Sequence, residues 1–389
     1  MDLRRLSGCV LAALGLGGLA GAADAADAAE AVCGAGERCS GPPSAEVEAS
    51  EGLRHFWPTA RGDVHRYGVS PYVGPTDLRA TFSWKWYHPA GQHASIALGC
   101  VIDHRRNIYL SATDAISKLS PDGRLLWNYT RFTFPTVASL AGGRLFGSAQ
   151  SGHVFALDLE TGREAWVTKV AAEIAADTGF VTVHDGVVVA GADSTIGLFN
   201  GRVRGVNATD GRPLWAYEPD APVWNFMALF PDDGTFVFQD MNGRAYRCRL
   251  RDGSLVWKAG GVPDTWTDGN LMLGPDGSVF AVTVHGGLAC LLRFLRPEDC
   301  SGSISRYALS DGGASWSRAL PRPPNAFPVV GRLGQGPELS VVVPIGQQAL
   351  LPLAAMQVLA AALGAAAGAA AASLWGLARC LCCCCRSLC

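Results

Sequence analysis

The sequence has few charged residues and no excess of either sign. Asp, Glu, Lys and Arg make up 17% of its 389 residues, and the formal net charge is −2. Nucleic acids and anionic membrane surfaces attract strongly basic proteins, so this balance gives no reason to expect either as an electrostatic partner. No nucleic-acid partner is predicted.

The sequence also lacks the local motifs of the common enzyme classes. It contains no Gly-x-Ser-x-Gly elbow, no phosphate-binding glycine loop and no His-Glu-x-x-His helix, and its eight histidines are isolated. Single aspartates are predicted to bond their own turns instead of a metal, since Asp readily fills turns. They are Asp103, Asp114, Asp193, Asp240 and Asp268. We therefore predict no catalytic, cofactor-binding or metal-binding residues.

Glycine, in contrast, is abundant, with 47 residues, and it recurs in one repeated pattern. Five segments place a turn glycine four residues before a tryptophan: KLSPDGRLLW, ALDLETGREAW, GVNATDGRPLW, CRLRDGSLVW and YALSDGGASW. The glycines are Gly123, Gly162, Gly211, Gly253 and Gly312, and the tryptophans are Trp127, Trp166, Trp215, Trp257 and Trp316. The tryptophans are 39, 49, 42 and 59 residues apart, intervals typical of a four-stranded propeller blade.

This repeat predicts an all-β fold, a β-propeller of about six four-stranded blades over residues 56–348. Glycine permits the tight turn of each unit, and the recurring tryptophan is interpreted as the wedge between adjacent blades. A sixth blade would combine strands near Phe327–Leu333 and Leu339–Ile345 with an early strand, Thr81–Tyr87. Because no repeat motif follows Ile345, either the early strand completes this blade or the ring closes imperfectly.

One repeat resembles the tryptophan-docking motif of the pyrroloquinoline-quinone (PQQ) repeat family, the quinoprotein alcohol dehydrogenase-like propellers. Ala156, Asp158, Thr161, Gly162 and Trp166 fill its specified positions. The other four copies keep the glycine and the tryptophan, with Asp in place of Thr. The segment from Trp57 to Pro75 is similar to the lead-in found before such repeats in non-enzymatic members.

The resemblance implies a binding scaffold or sensor with an unknown protein or ligand on the propeller face. The alternative is a PQQ-dependent dehydrogenase, which would require PQQ and calcium. Enzymes of that family usually have eight blades, and many carry adjacent cysteines that form a disulfide over the quinone. No adjacent cysteine pair lies in residues 56–348 and no acidic trio can be assigned, so no cofactor is predicted.

The two ends of the chain differ from its middle. Residues 1–28 are predicted to be a cleaved secretory signal and residues 29–55 a flexible leader. Residues 350–377 have no charge and are long enough for a transmembrane helix, and residues 378–389 would form a cysteine-rich cytosolic tail. Together these features predict a single-pass type I membrane protein of the secretory pathway, with a lumenal or extracellular propeller. A soluble propeller whose tail is a gene-prediction error is the other interpretation.

Several modifications are predicted on the same reasoning. Asn128 and Asn207 lie in glycosylation sequons, and Asn207 is expected to be the more accessible because it precedes a tight turn. Sequence proximity suggests the disulfides Cys290–Cys300 and Cys33–Cys39. Cys380, Cys382, Cys383, Cys384 and Cys385 are candidates for S-acylation beside the membrane. A Gly-x-x-x-Gly motif at Gly364 and Gly368 suggests a homodimer.

Overall fold

The computed structural model describes residues 53–70, 72–89, 96–174, 180–194, 199–225, 228–230, 232–267, 271–286, 290, 300–324, 326–333 and 336–346. The predicted signal, the predicted transmembrane helix, the cysteine-rich tail and the pair Cys33–Cys39 lie outside these residues. Within them, no helix combines the length and the apolar character needed to cross a membrane.

The described part is all-β, as predicted, and its strands form antiparallel sheets that follow the order of the chain. The first sheet contains β1 (Ile96–Ile102), β2 (Ile108–Ala112), β3 (Ile116–Leu119) and β4 (Leu125–Tyr129). The second contains β5 (Ser139–Ala141), β6 (Arg144–Ala149), β7 (His153–Asp158) and β8 (Glu164–Lys169). The third contains β9 (Val181–His184), β10 (Val187–Ser194), β11 (Phe199–Asn207) and β12 (Pro213–Tyr217).

The later sheets repeat this order and then depart from it. The fourth contains β13 (Ala228–Phe230), β14 (Thr235–Gln239), β15 (Arg244–Arg249) and β16 (Leu255–Gly260). The fifth contains β17 (Thr265–Trp266), β18 (Leu271–Leu273), β19 (Val279–His285), β20 (Ser301–Tyr307) and β21 (Ala314–Leu320). In the fifth sheet, β17 and β18 both pair with β19. In the described part of the chain, the sixth sheet has two strands, β22 (Val329–Gly331) and β23 (Ser340–Val342).

The sequence of each complete sheet explains its strands and turns. The second and third strands are rich in Val, Phe, Tyr and Ala, and they are mostly buried on both faces. The last strand of a sheet is the most exposed and carries the repeat tryptophan. The turn before it contains the repeat glycine at positive φ, for example 69° at Gly162.

Apolar cores lie between consecutive sheets. One core joins Phe146, Val154 and Trp166 of the second sheet to Val188 and Val206 of the third. Such shared cores are expected when no sheet can bury both of its faces alone. The repeated four-stranded sheets and these cores are those of a β-propeller. The predicted strand Thr81–Tyr87 is absent from the structure, whereas the other two segments of the predicted sixth blade contain β22 and β23.

Candidate functional site

The segment Trp57–Tyr67, here called the axial segment, precedes the sheets and contacts the first strands of several of them. Trp57 exchanges backbone hydrogen bonds with Ile102 at the end of β1, at 3.0 and 2.9 Å. The carbonyl of Pro58 accepts a hydrogen bond from the backbone N–H of Leu140 in β5. The segment therefore contacts the first strands of the first and second sheets.

The axial segment then reaches the remaining sheets. The carbonyl of Val64 accepts a bond from the N–H of Leu229 in β13, at 2.9 Å. The Tyr67 hydroxyl donates to the carbonyl of Gly274, directly after β18. The guanidinium of Arg61 lies 3.3 Å from the ring centre of Phe327, just before β22. A single short segment can contact so many first strands only where these strands converge, so it occupies the axis of the propeller.

Arg66 is the buried charged residue of the axial segment, with 2% of its surface exposed. Its guanidinium donates to the hydroxyl of Thr59 and the carbonyl of Ala60 in the segment itself, and to the carbonyl of Val181 and the hydroxyl of Thr182 in β9. Burial lowers the pKa of Arg66 to about 9, because a charge away from water is unfavourable. These bonds fix the segment to the third sheet.

Each repeat tryptophan but the last lies on the turn glycine of the following sheet. A Cβ added at Gly162 would lie 2.7 Å from the indole of Trp127, and one added at Gly211 would lie 2.6 Å from the indole of Trp166. Trp215 and Trp257 lie in the same way on Gly253 and Gly312. Only glycine allows the backbone of the turn to approach the ring so closely.

The indole N–H groups complete these junctions between sheets. Trp127, Trp166, Trp215 and Trp257 donate to the carbonyls of Leu159, Ala208, Leu250 and Leu309, at 2.7–3.3 Å. Each carbonyl precedes the turn whose glycine the ring covers. In the described residues no glycine turn covers Trp316, the last of the series.

Trp84 was missed by the sequence reasoning, although it makes the same contacts. Its indole lies on Gly123 of the first sheet, where an added Cβ would be 2.8 Å away, and its N–H donates to the carbonyl of Pro121 at 2.9 Å. The available signal was spacing, because Trp84 precedes Trp127 by 43 residues, within the range of the other intervals. It escaped notice because no turn glycine lies four residues before it.

The structure reverses the order of accessibility expected for the two sequons. Asn207 is buried, and its side-chain oxygen accepts hydrogen bonds from the backbone N–H groups of Thr209 and Asp210. An asparagine held in its own turn cannot present its amide to a modifying enzyme. Asn128 is exposed and accepts one bond from the Ser117 hydroxyl.

Cys290 and Cys300 are joined by a disulfide, whereas Cys100 and Cys248 are free thiols. Burial raises the pKa of Cys248 to about 12, so this thiol is unreactive at neutral pH. The five cysteines predicted to be acylated, and the Gly364–Gly368 motif, lie outside the described residues.

Two hollows lie at equivalent places on one face of the propeller. Because strands alternate in direction, this face, here called the loop face, carries the loops between the second and third strands of each sheet and the connections between sheets. In the second sheet, Gln150 donates to Thr133 and accepts from Ile174. In the fourth sheet, Met241 donates to Pro222 and accepts from Thr267. The same backbone pattern thus places one loop between two connections in both sheets.

The hollow over the second sheet has a volume of about 490 Å3 and combines an aromatic ring with charge. The Phe132 ring stacks on His153 at 5.2 Å and lies under the Arg131 guanidinium at 5.0 Å. Arg131 also forms an ion pair with Glu164. Partly exposed aromatic and arginine side chains of this kind are typical of protein-binding surfaces.

The hollow over the fourth sheet, about 350 Å3, is acidic. Asp220 forms ion pairs with Arg244 and Lys258 at its rim. Asp240, at its base, accepts bonds from the Tyr246 hydroxyl and from two backbone N–H groups. Burial raises the pKa of Asp240 to about 6, and the hydrogen bonds only partly offset this effect.

The described residues do not fit a buried quinone with its metal. Residues Trp57–Tyr67 fill the axis, and both hollows open to the surface. Within the described residues, no group of three His, Cys, Asp or Glu side chains is arranged to hold a metal.

The family model described as outer membrane protein assembly factor BamB, a PQQ-type repeat model, matches residues 112–296. The match spans four of the five tryptophan motifs identified in the sequence. The resemblance to the PQQ-repeat propeller family is therefore confirmed.

Curated relatives carry the same description. The outer membrane protein assembly factor BamB of Nitrosomonas eutropha is 24% identical over 229 residues, which cover 54% of this chain and 49% of that protein. The protein of the same name from Moranella endobia is 26% identical over 161 residues, 39% of each chain. The chain thus spans about half, or less, of the length of the curated relatives it matches.

These relatives correct the predicted localisation. They are bacterial proteins named for outer membrane protein assembly, and the described residues contain no helix able to cross a membrane. The prediction of a single-pass type I protein of the secretory pathway is therefore wrong. It rested on an apolar, alanine-rich stretch, and length without charge is a weak criterion when the residue is alanine.

Among solved structures, the quinohemoprotein alcohol dehydrogenase of Comamonas testosteroni is 14% identical, with 76% of this chain and 52% of that chain covered. The TM-score is 0.49, and a score of this size supports neither a blade number nor an activity.

Proposed function

We propose that this chain, whose residues 112–296 match the BamB-type PQQ repeat, is a protein-binding scaffold that holds its partner on the loop face. One observation carries the proposal: the chain's own axial segment occupies the place where the sheets converge. A ligand in the interior would have to displace Arg66 and its four hydrogen bonds. Recognition is therefore left to the loops, which a rigid scaffold presents well.

The proposal includes the architecture of the ring. The five complete sheets would be five blades, and β22 and β23 would begin a sixth. The repeat tryptophans would act as wedges between blades, as their contacts with the glycine of the next sheet suggest. Trp84 would supply the wedge between the sixth blade and the first.

The partner is proposed to be a polypeptide that takes part in membrane-protein assembly. The names of the relatives support this assignment, and so does the chemistry of the two hollows. The hollow over the second sheet offers Phe132 and Arg131, whereas the hollow over the fourth offers Asp220 and Asp264. A partner that covers both hollows would place an apolar side chain and an acidic group over the second sheet, and a basic group over the fourth.

Site-specific photo-crosslinking in the native cell tests the proposal. A photoreactive phenylalanine analogue at position 132 is expected to capture a defined protein, and the same protein is expected from position 262 beside the acidic hollow. The matched control is position 163, an exposed residue on the opposite face. Equal capture of this protein from position 163, or capture of nothing at positions 132 and 262, would refute the assignment.

Once the captured protein is purified, its affinity gives a second test. Phe132→Ala is expected to weaken binding about tenfold, because a central aromatic anchor typically contributes about 1–2 kcal/mol. Arg163→Ala should leave the affinity unchanged. An unchanged affinity for Phe132→Ala would place the binding site elsewhere.

A further inference from the structure

The sixth sheet is incomplete in a defined way. Its two strands pack on the fifth sheet, where Val330 and Val341 contact the core of Phe280, Val282 and Ile304. The opposite face of the same hairpin is open, with Val329 61% and Val342 45% exposed. Since Val329 pairs with Val342, these two side chains form an exposed apolar pair.

The outermost strand position of this unit is also occupied. Trp84 lies on Gly123 as the outermost-strand tryptophans of the other sheets lie on the glycine of the following sheet. Residues 81–87 therefore take the place of a fourth strand, although they form no strand pairing in the described structure. Within the described residues, β22 and β23 take the first and second positions of the sixth unit and residues 81–87 the fourth, and no strand stands at the third.

We propose that the edge of β23 that pairs with no strand among the described residues is a docking site for an extended apolar strand of another protein, which takes the third position. Such a strand would form backbone hydrogen bonds with β23 beside Val342. The complete sheets show which residues this position accepts. In three sheets the third strand is mostly buried, with all four residues of β3 and four of the six in β7 and in β15 buried, whereas three of the seven residues of β20 in the fifth sheet are buried.

The described residues after β23 do not return along it. In the second sheet, three residues separate the second strand from the third, which returns along it. After β23 the chain takes another course: Gly346 donates to the carbonyl of Pro323 at 2.8 Å and forms a parallel bridge with Pro324. The sequence that follows is rich in alanine and contains Pro352, both unfavourable in a central strand.

The test uses the chain's own third strand as a probe. A fluorescent peptide with the sequence of residues 151–160, extended by two lysines for solubility, is titrated with the full-length protein. Saturable binding is expected, together with at least tenfold slower amide exchange in residues 340–343. The matched control peptide carries proline at the position of Phe155, which removes a strand donor, and it should not bind.

Two variants locate the binding edge. Val342→Lys is expected to weaken peptide binding at least tenfold, since an edge lysine opposes strand addition. Leu125→Lys, at an equally exposed residue of β4, should bind like the wild type. Phe132→Ala should also bind the peptide normally, so that failure of the loop-face proposal and failure of this one can be told apart.

Three results would overturn the inference. Slow exchange of residues 340–343 before peptide is added would mean that the chain itself covers the edge. A dimer in light scattering that Val342→Lys dissociates would mean that a second copy covers it. Wild-type affinity in Val342→Lys would mean that the peptide binds elsewhere.

Discussion

The four junctions that connect the first five sheets are built differently from the region between the fifth sheet and the first. That region, which contains the sixth sheet, is here called the interval. At each junction, a tryptophan lies on the glycine of the next sheet and donates to a carbonyl of the same turn. In the interval, Trp316 has no turn upon it within the described residues, and Val329 and Val342 are exposed. The tryptophan motif is therefore present both at the complete junctions and after the fifth sheet, where no junction forms in the described residues.

The difference shows that the tryptophan alone does not make a junction. The partner turn must also be present, with a glycine at positive φ and, before it, a carbonyl that accepts the indole N–H. Trp316 has the sequence of a docking tryptophan, but the described part of the sixth sheet offers it no such turn. Trp84 has no repeat motif around it, yet Gly123 provides the turn, and the contact forms.

The largest expected effect comes from removing an indole from a complete junction. Trp166→Ala should lower the free energy of unfolding by about 3–5 kcal/mol, because it opens a cavity in a buried core. Trp316→Ala, at the incomplete interval, should cost less than half as much. Urea unfolding of both variants measures the comparison, and equal losses would contradict it.

The next largest effect concerns the turn. Gly211→Ala should lower the free energy of unfolding by about 2–4 kcal/mol, since alanine is strained at positive φ and its Cβ would overlap Trp166. The matched control is Gly331→Ala in β22, where nothing lies within 4 Å of the added Cβ. We expect this control to unfold like the wild type.

The first five sheets also bury a carboxyl group, that of Asp240 on the loop face, whereas Arg322, Arg332 and Glu338 near the sixth sheet are exposed. The pKa of Asp240 is about 6 in the folded chain, above its ordinary value. The folded state therefore holds this proton more tightly, so stability from this group falls as the pH rises from about 4 to about 6 and is constant above.

Replacing Asp240 by asparagine measures this effect. The unfolding free energy of Asp240→Asn minus that of the wild type should rise by about 2 kcal/mol from pH 4.5 to pH 7, because the wild type loses this contribution over that range. Each tenfold difference in proton affinity between the folded and unfolded states is worth about 1.4 kcal/mol. Parallel urea curves for the two proteins at both pH values would show it. A constant difference between them would rule out the raised pKa.

The smallest effect is expected at Trp84. Its ring is partly exposed and belongs to a segment without strand pairing, so Trp84→Ala should cost only about 1 kcal/mol. The informative readout is local: amide exchange in residues 120–124 should accelerate while that of the second sheet stays unchanged. Unchanged exchange at this turn would show that Trp84 does not stabilise it.

Much of the fold could be predicted because its signals are local. Each glycine turn lies beside the strands it joins, so the five motifs indicated the repeating sheets and their order. The pairing of β23 with β22 alone among the described residues, and the absence of a strand at residues 81–87, could not be predicted, because strand pairing depends on a distant partner.

The candidate site could be predicted only in part. The lead-in Trp57–Pro75 was found by resemblance, but its axial position depends on contacts with Ile102, Leu229 and Phe327, which are far apart in the chain. The accessibility of Asn207 was predicted wrongly, since the turn is tight enough to use the side chain itself.

By itself, the sequence determined the repeating unit, the turns and the aromatic residue placed in each unit, because these follow from the conformations open to a few neighbouring residues. Only the tertiary structure decided which turn each tryptophan covers, what fills the axis and which segments pair as strands. Those outcomes depend on surfaces that meet only when the sheets have assembled, so no single segment of the chain encodes them.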